Sequence, residues 1–90
     1  MEEVKMMNDI GYNIGQKAKL HDFEILKLFE LIRYDQYHDF FKQIISIARK
    51  VKVAVPEQLY KYDYETFEYY IYALWEGFKK SITTLELEPY

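Results

Sequence analysis

Ninety residues, half of them hydrophobic and 19% aromatic, with a formal net charge of −3 and no cysteine, make a chain long enough for one modest core and too apolar for a disordered tail. The missing cysteines exclude a disulfide framework and a thiolate metal site. The opening MEEVKMMNDIGYNIG lacks a cationic region followed by an apolar one, and no run approaches the roughly 18 apolar residues of a membrane span, so a soluble cytoplasmic protein is expected.

Glycine occurs only at 11, 15 and 77 and proline only at 56 and 89, which leaves long uninterrupted segments and predicts an all-α fold, a compact bundle of four to five helices. A first helix from about Glu2 to Leu20 carries Met6, Ile10, Ile14 and Ala18 at steps of four, and Gly11 and Gly15 make one side small enough for close approach. Asp22 is the expected N-cap of a second helix reaching Arg33, with Ile25, Leu28, Phe29 and Ile32 on one stripe. Phe23 and Leu31 fall outside that stripe and need another partner.

The third helix, from about Asp35 to Val51, has the clearest period: Tyr37, Phe40, Phe41, Ile44, Ile45, Ala48 and Val51 recur at steps of three and four. Residues 52 to 55 break it, because Val55 precedes Pro56 and is pushed toward extended conformations. Pro56 suits the first turn of a short helix holding Leu59 and Tyr60. Asp63 then caps a last helix from Tyr64 to about Lys80, with Phe67, Ile71, Leu74 and Phe78 inward and Lys79 and Lys80 at its C-terminal end. Residues 1 to 80 read as one domain and 81 to 90 as a loose tail.

Charge is segregated along the chain: residues 1–16 sum to −2, residues 17–52 to +3 and residues 53–90 to −4. Lys42, Arg49, Lys50 and Lys52 cluster in FFKQIISIARKVKVAVP, a stretch with no carboxylate. Arg49 and Lys50 are accounted for by the negative C-terminal end of their helix, whereas Lys42 lies too far from it. The same compensation accounts for Lys17, Lys19, Lys79 and Lys80. The other reading of all eight is a basic face for an anionic partner.

Catalytic signals are missing. His21 and His38 lack metal-ligand spacing, no serine or threonine sits in a nucleophile context, and GYNIG lacks the GKS or GKT and the preceding strand of a phosphate loop. A non-enzyme without metal or other cofactor and without a small-molecule substrate is expected. Tyr60, Tyr62, Tyr64, Tyr69, Tyr70 and Tyr72 crowd a region that also holds Asp63, Glu65, Glu68 and Glu76, whose charge would repel phosphate. Tyr69 and Tyr72, with Phe23 and Leu31, are therefore candidate protein-interface residues.

The succession EILKLFELIRYDQYHDFFKQIISIARKVKVAVPEQLYKYDYETFEYYIYALWEGF, preceded by GYNIG, with its DFF helix running into VP and its closing FxxxxxALxxGF, resembles the C-terminal helical region of the large subunit of type I-B CRISPR surveillance (Cascade) complexes. The resemblance covers roughly residues 9 to 80. In that family the region is also made as a separate small subunit by internal initiation, which implies a prokaryotic cytoplasmic product starting at Met1, Met6 or Met7.

The resemblance further implies a non-catalytic subunit that contacts the backbones of the crRNA–target DNA duplex and of the displaced strand, and so stabilises the R-loop. Its implied partners are the large subunit, the backbone subunits and further copies of itself. The guide RNA supplies sequence specificity by pairing, so the protein needs cations on a rigid face and no base readout. Lys42, Arg49, Lys50 and Lys52 are the first candidates and Lys17, Lys19, Lys79 and Lys80 the second. The competing expectation is a helical protein-interaction module, an adaptor or antitoxin-like dimer, using Phe23, Leu31, Tyr69 and Tyr72.

Overall fold

The computed structural model describes residues 2–86, without the side chains of residues 2, 60 and 83–86. Four α-helices, α1 (Glu2–Lys17), α2 (Asp22–Arg33), α3 (Tyr37–Lys50) and α4 (Tyr64–Glu86), and a 3-10 helix (Glu57–Lys61) follow one another with no strand among the described residues. The expected all-α bundle is what forms. Val4 of α1 shares a groove with Tyr69 and Tyr72 of α4, Asn8 meets Ala73 and Gly77, and Gly15 meets Ser81. Residue numbers rise together along the two helices, so α1 and α4 pair in parallel.

Small residues set that pairing. Gly11 and Gly15 on α1 face a seam on α4 in which Ala73, Gly77 and Ser81 recur at steps of four and are all buried. A Cβ at Gly11 would overlap the Leu74 carbonyl, one at Gly77 the Asn8 carbonyl, and one at Gly15 the Ser81 hydroxyl. The Asn8 amide Nδ2 donates to the Ala73 carbonyl at 3.3 Å across the seam, and Ser81 Oγ satisfies itself on the Phe78 carbonyl at 2.9 Å. The buried line of α1 is Met7, Gly11, Ile14 and Gly15, continued by Ala18 just past its end, and Met6, expected inward, is 46% exposed. Ile14 and Ala18 are buried as the apolar spacing suggests and Ile10 packs against the core, whereas Met7 replaces Met6 and the glycines join the contact.

Differences at the helix ends have local causes. α1 stops at Lys17 rather than Leu20, where the Leu20 N–H turns back onto the Ala18 carbonyl at 3.0 Å. His21, not Asp22, is the N-cap of α2, and its backbone N–H donates to the Glu24 carboxylate at 2.9 Å, so Glu24 supplies the capping group. α2 ends in a Schellman motif: the Asp35 N–H reaches the Ile32 carbonyl (3.1 Å), the Gln36 N–H reaches the Leu31 carbonyl (2.8 Å), and Asp35 has φ 59°. Asp35 therefore precedes α3 instead of starting it. α3 ends the same way, with Lys52 at φ 60° and the Val53 N–H on the Ala48 carbonyl at 2.9 Å. Two side-chain-bearing residues thus hold left-handed positions that glycine usually takes.

Asp63 caps α4 as expected. The Thr66 hydroxyl donates to Asp63 Oδ1 at 2.7 Å and the Thr66 N–H to Oδ2 at 3.3 Å, and these bonds hold the Asp63 carboxyl below its usual range. The helix then runs six residues past Lys80, with Ser81 fully buried, so the tail expected at 81–90 begins as helix. Its last four residues, 87–90, lie outside the described residues, as does the Tyr60 side chain.

α2 and α3 lie antiparallel across their short turn, and α3 meets α4 through rings: Phe41 lies edge-on to Phe67 (centroids 5.6 Å apart) and Phe40 edge-on to Trp75 (5.8 Å). The α3 stripe read from sequence is buried at Tyr37, Phe40, Phe41, Ile44, Ile45 and Ala48, with Val51 half-buried. On α2, Leu28 and Ile32 are buried, whereas Phe29, placed inward by its spacing, is 43% exposed and only leans on Trp75.

Tyr37 donates its hydroxyl to Asp35 Oδ1 at 3.1 Å. Burial first, then the Asp35 hydrogen bond and charge, push its pKa from 10 up to about 12. The folded state thus disfavours the phenolate. Its contribution to stability is complete below pH 10 and is lost as pH rises from there toward about 12. Tyr37→Phe should flatten the fall of stability across that window, as read from urea unfolding at several alkaline pH values. An unchanged slope would mean that Tyr37 does not report the fold.

Candidate nucleic-acid interface

Lys42, Ser46 and Arg49 lie at i, i+4 and i+7 on the exposed side of α3, opposite the buried Phe40, Ile44 and Ala48. Together with Lys50 they line one shallow depression, whose far wall is Glu57 of the 3-10 helix. Lys50 also lines a second depression with Lys19 and His21, where the end of α1 meets the start of α2 and the last turn of α3. Two of the second-rank positions are therefore separated: Lys19 joins the α3 cations, and Lys79 lies elsewhere. Lys52 follows in the turn beyond α3, held by the Schellman backbone geometry rather than by a glycine.

The cations differ in what already holds them. Arg49 is gripped by Glu57, its Nη2 lying 2.9 Å from both carboxylate oxygens. Both groups are exposed, so the pair adds at most about 1 kcal/mol to stability, but it neutralises the guanidinium in the free protein. Lys42 makes no ion pair among the described residues. Glu24 is the one carboxylate in the wall shared by Lys19 and Lys50, and it is already engaged at the α2 cap.

Lys17 sits in the last turn of α1, where helix-end compensation describes it. Lys79 and Lys80 do not have that role: α4 continues to Glu86 and has no basic residue in its last turn. Lys79 instead pairs with Glu76 at 3.2 Å, one turn back. Its surroundings are Asp22, Leu26, Phe29 and Trp75, a mostly apolar wall remote from Lys42.

The four apolar candidates also divide. Leu31 is half-buried against the core, whereas Phe23 is 70% exposed and stacks on His21 with centroids 5.7 Å apart. Tyr69 and Tyr72 line a common groove with Glu65, Glu68 and Glu76. Next to it, desolvation and then the Glu3 charge push the Tyr70 hydroxyl above its ordinary value. The fold thus separates a cationic face, centred on α3, from an acidic tyrosine face on α4. His38 stacks on Phe67 at 4.5 Å and His21 lies at the α2 cap, so the two histidines have packing and capping positions.

Sequence spacing identified the face carrying Lys42, Arg49 and Lys50. The Arg49–Glu57 clasp and the approach of Lys19 were missed, because both depend on how the chain folds back across breaks. No protein-family model, curated protein or solved structure matches the chain. No helix among the described residues is long and apolar enough to cross a membrane.

Proposed function

We propose that the chain is a non-catalytic helical subunit that holds nucleic-acid backbones, working within an RNA-guided CRISPR surveillance complex of the kind its sequence resembles, where it stabilises the target duplex and displaced strand of the R-loop. The observation that carries the reading is the convergence of Lys42 and Lys50 of α3 with Lys19 of the α1–α2 connection, two chain segments meeting in adjoining depressions that share Lys50. Cations fixed on rigid elements suit phosphate contacts, which position a strand without reading its bases. The net charge of −3 and the small number of contacts make the isolated chain a weak binder, so useful affinity comes from several copies or subunits acting together.

The test is anisotropy of a labelled single-stranded oligonucleotide at low and rising salt. Replacing Lys19, Lys42, Lys50 and Lys52 with alanine should abolish binding without changing the helical signal, and each single replacement should lower the log–log salt slope by about 0.7. Glu57→Gln should tighten binding several-fold by releasing Arg49. Equal affinity in the quadruple variant would exclude this face. A second reading, a protein-interaction module, is favoured by one specific observation, the groove carrying Tyr69 and Tyr72.

A further inference from the structure

The α1–α4 pairing leaves an elongated surface groove of about 770 Å³. Val4 and Ala73 contribute aliphatic surface to it, and Tyr69 and Tyr72, 56% and 46% exposed, contribute ring faces. Glu65, Glu68 and Glu76 line the same groove, and no lysine or arginine does. Glu76 is shared with Lys79. The charge of Glu68 also reaches Tyr37. From residue 65 to residue 76 the groove follows α4 for about 16 Å, three helical turns.

We propose that this groove docks a cationic amphipathic helix of another protein. Such a helix lays apolar side chains at i, i+3 or i+4 and i+7 along a channel of this length. Its flanking lysines or arginines would reach Glu65 and Glu68 and stack on the tyrosine rings. Nucleic acid does not fit, because three carboxylates line the groove and would repel phosphate.

A second copy of the chain does not fit either, because among the described residues no helix combines exposed apolar anchors with a cationic surface. α3 exposes Lys42, Arg49 and Lys50, but its apolar residues are turned inward. α2 exposes Phe23, Leu26 and Phe29, but it carries Asp22, Glu24 and Glu30 against Lys27 and Arg33. α1 and α4 expose carboxylates beside their tyrosines and methionine. The complementary helix therefore belongs to a different protein.

The probe is a fluorescein-labelled peptide of roughly 14 residues in which leucines follow the helical spacing and lysines fill the remaining positions, titrated with the full chain at low salt. Micromolar binding is expected, with no binding of a peptide that carries glutamate in place of lysine. Glu65→Gln with Glu68→Gln should weaken the complex about tenfold or more, the scale of losing two charge contacts, and Tyr72→Ala should do the same through lost apolar contact. All three positions are at or near the surface, so the circular dichroism of the variants should stay native. Lys42→Ala should leave peptide binding intact, which separates this proposal from the nucleic-acid reading. The proposal is overturned if the glutamate peptide binds equally well, if the glutamine variants bind unchanged, or if sedimentation shows self-association that Tyr72→Ala abolishes.

Discussion

Gly11→Ala and Gly77→Ala should each destabilise the protein by about 1–3 kcal/mol, although the same change in an open helix adds up to about 1 kcal/mol. The sign reversal is the informative part. At both positions the new methyl would overlap a backbone carbonyl of the facing helix, Leu74 for Gly11 and Asn8 for Gly77, and backbone cannot rotate away as a side chain can. Gly15→Ala meets the Ser81 hydroxyl instead, so adding Ser81→Ala should restore part of its loss. Urea unfolding followed by circular dichroism and by the fluorescence of buried Trp75 gives the three values. A gain of stability at Gly11 or Gly77 would mean that α1 and α4 do not approach this closely.

Phe67→Ala should cost more, about 3–5 kcal/mol, a large part of the roughly 5–15 kcal/mol that holds a small domain together. Phe67 is 1% exposed. Its ring meets Phe41 edge-on and lies against His38 at 4.5 Å. Because α3 reaches α4 through ring contacts of this kind, removing Phe67 loosens the seating of the helix that carries Lys42 and Lys50. The control is Phe23→Ala, at a position 70% exposed, which should shift the unfolding midpoint little, within about 0.5 kcal/mol. Comparable losses at the two positions would contradict the packing described for α3.

These two sites mark how far the fold could be read from the amino-acid order. Phe67 and the α3 stripe announce themselves because large apolar residues repeat at helical steps and no charge interrupts them. The α1–α4 seam is harder to read, since glycine, alanine and serine register weakly on any scale of apolar periodicity while governing how closely two helices approach. The same limit put Met6 inward in place of Met7. The extension of α4 past Lys80 was hidden by Thr83 and Thr84, poor helix formers whose segment nevertheless continues from the buried Ser81. Asp35 and Lys52 hold left-handed turns without the glycine that signals one.

For the candidate interface, spacing within one helix located Lys42, Arg49 and Lys50. What it could not supply was the state of each cation, because Glu57 reaches Arg49 across the break at Pro56, and Lys19 approaches Lys50 only through tertiary packing. Charge segregation along the chain did become segregation in space. The α3 cations form one face and Glu65, Glu68 and Glu76 of α4 line a groove elsewhere, while Glu57 of the acidic stretch crosses to Arg49.

The parallel pairing of α1 with α4 has a kinetic side. Asn8 and Ala73, which share a hydrogen bond, are separated by 65 positions, so α1 waits for α4, which is synthesised later. The α2–α3 hairpin can close locally, but the glycine seam cannot form before the loop between the two ends has closed, and nonlocal closure of this kind slows folding. During that wait α1 is exposed to proteases and to chaperones. Nascent chains arrested before Tyr64 should be cleaved within residues 2–17 at low protease levels, and chains carried past Glu86 should resist; equal resistance in both would show that α1 settles without its partner.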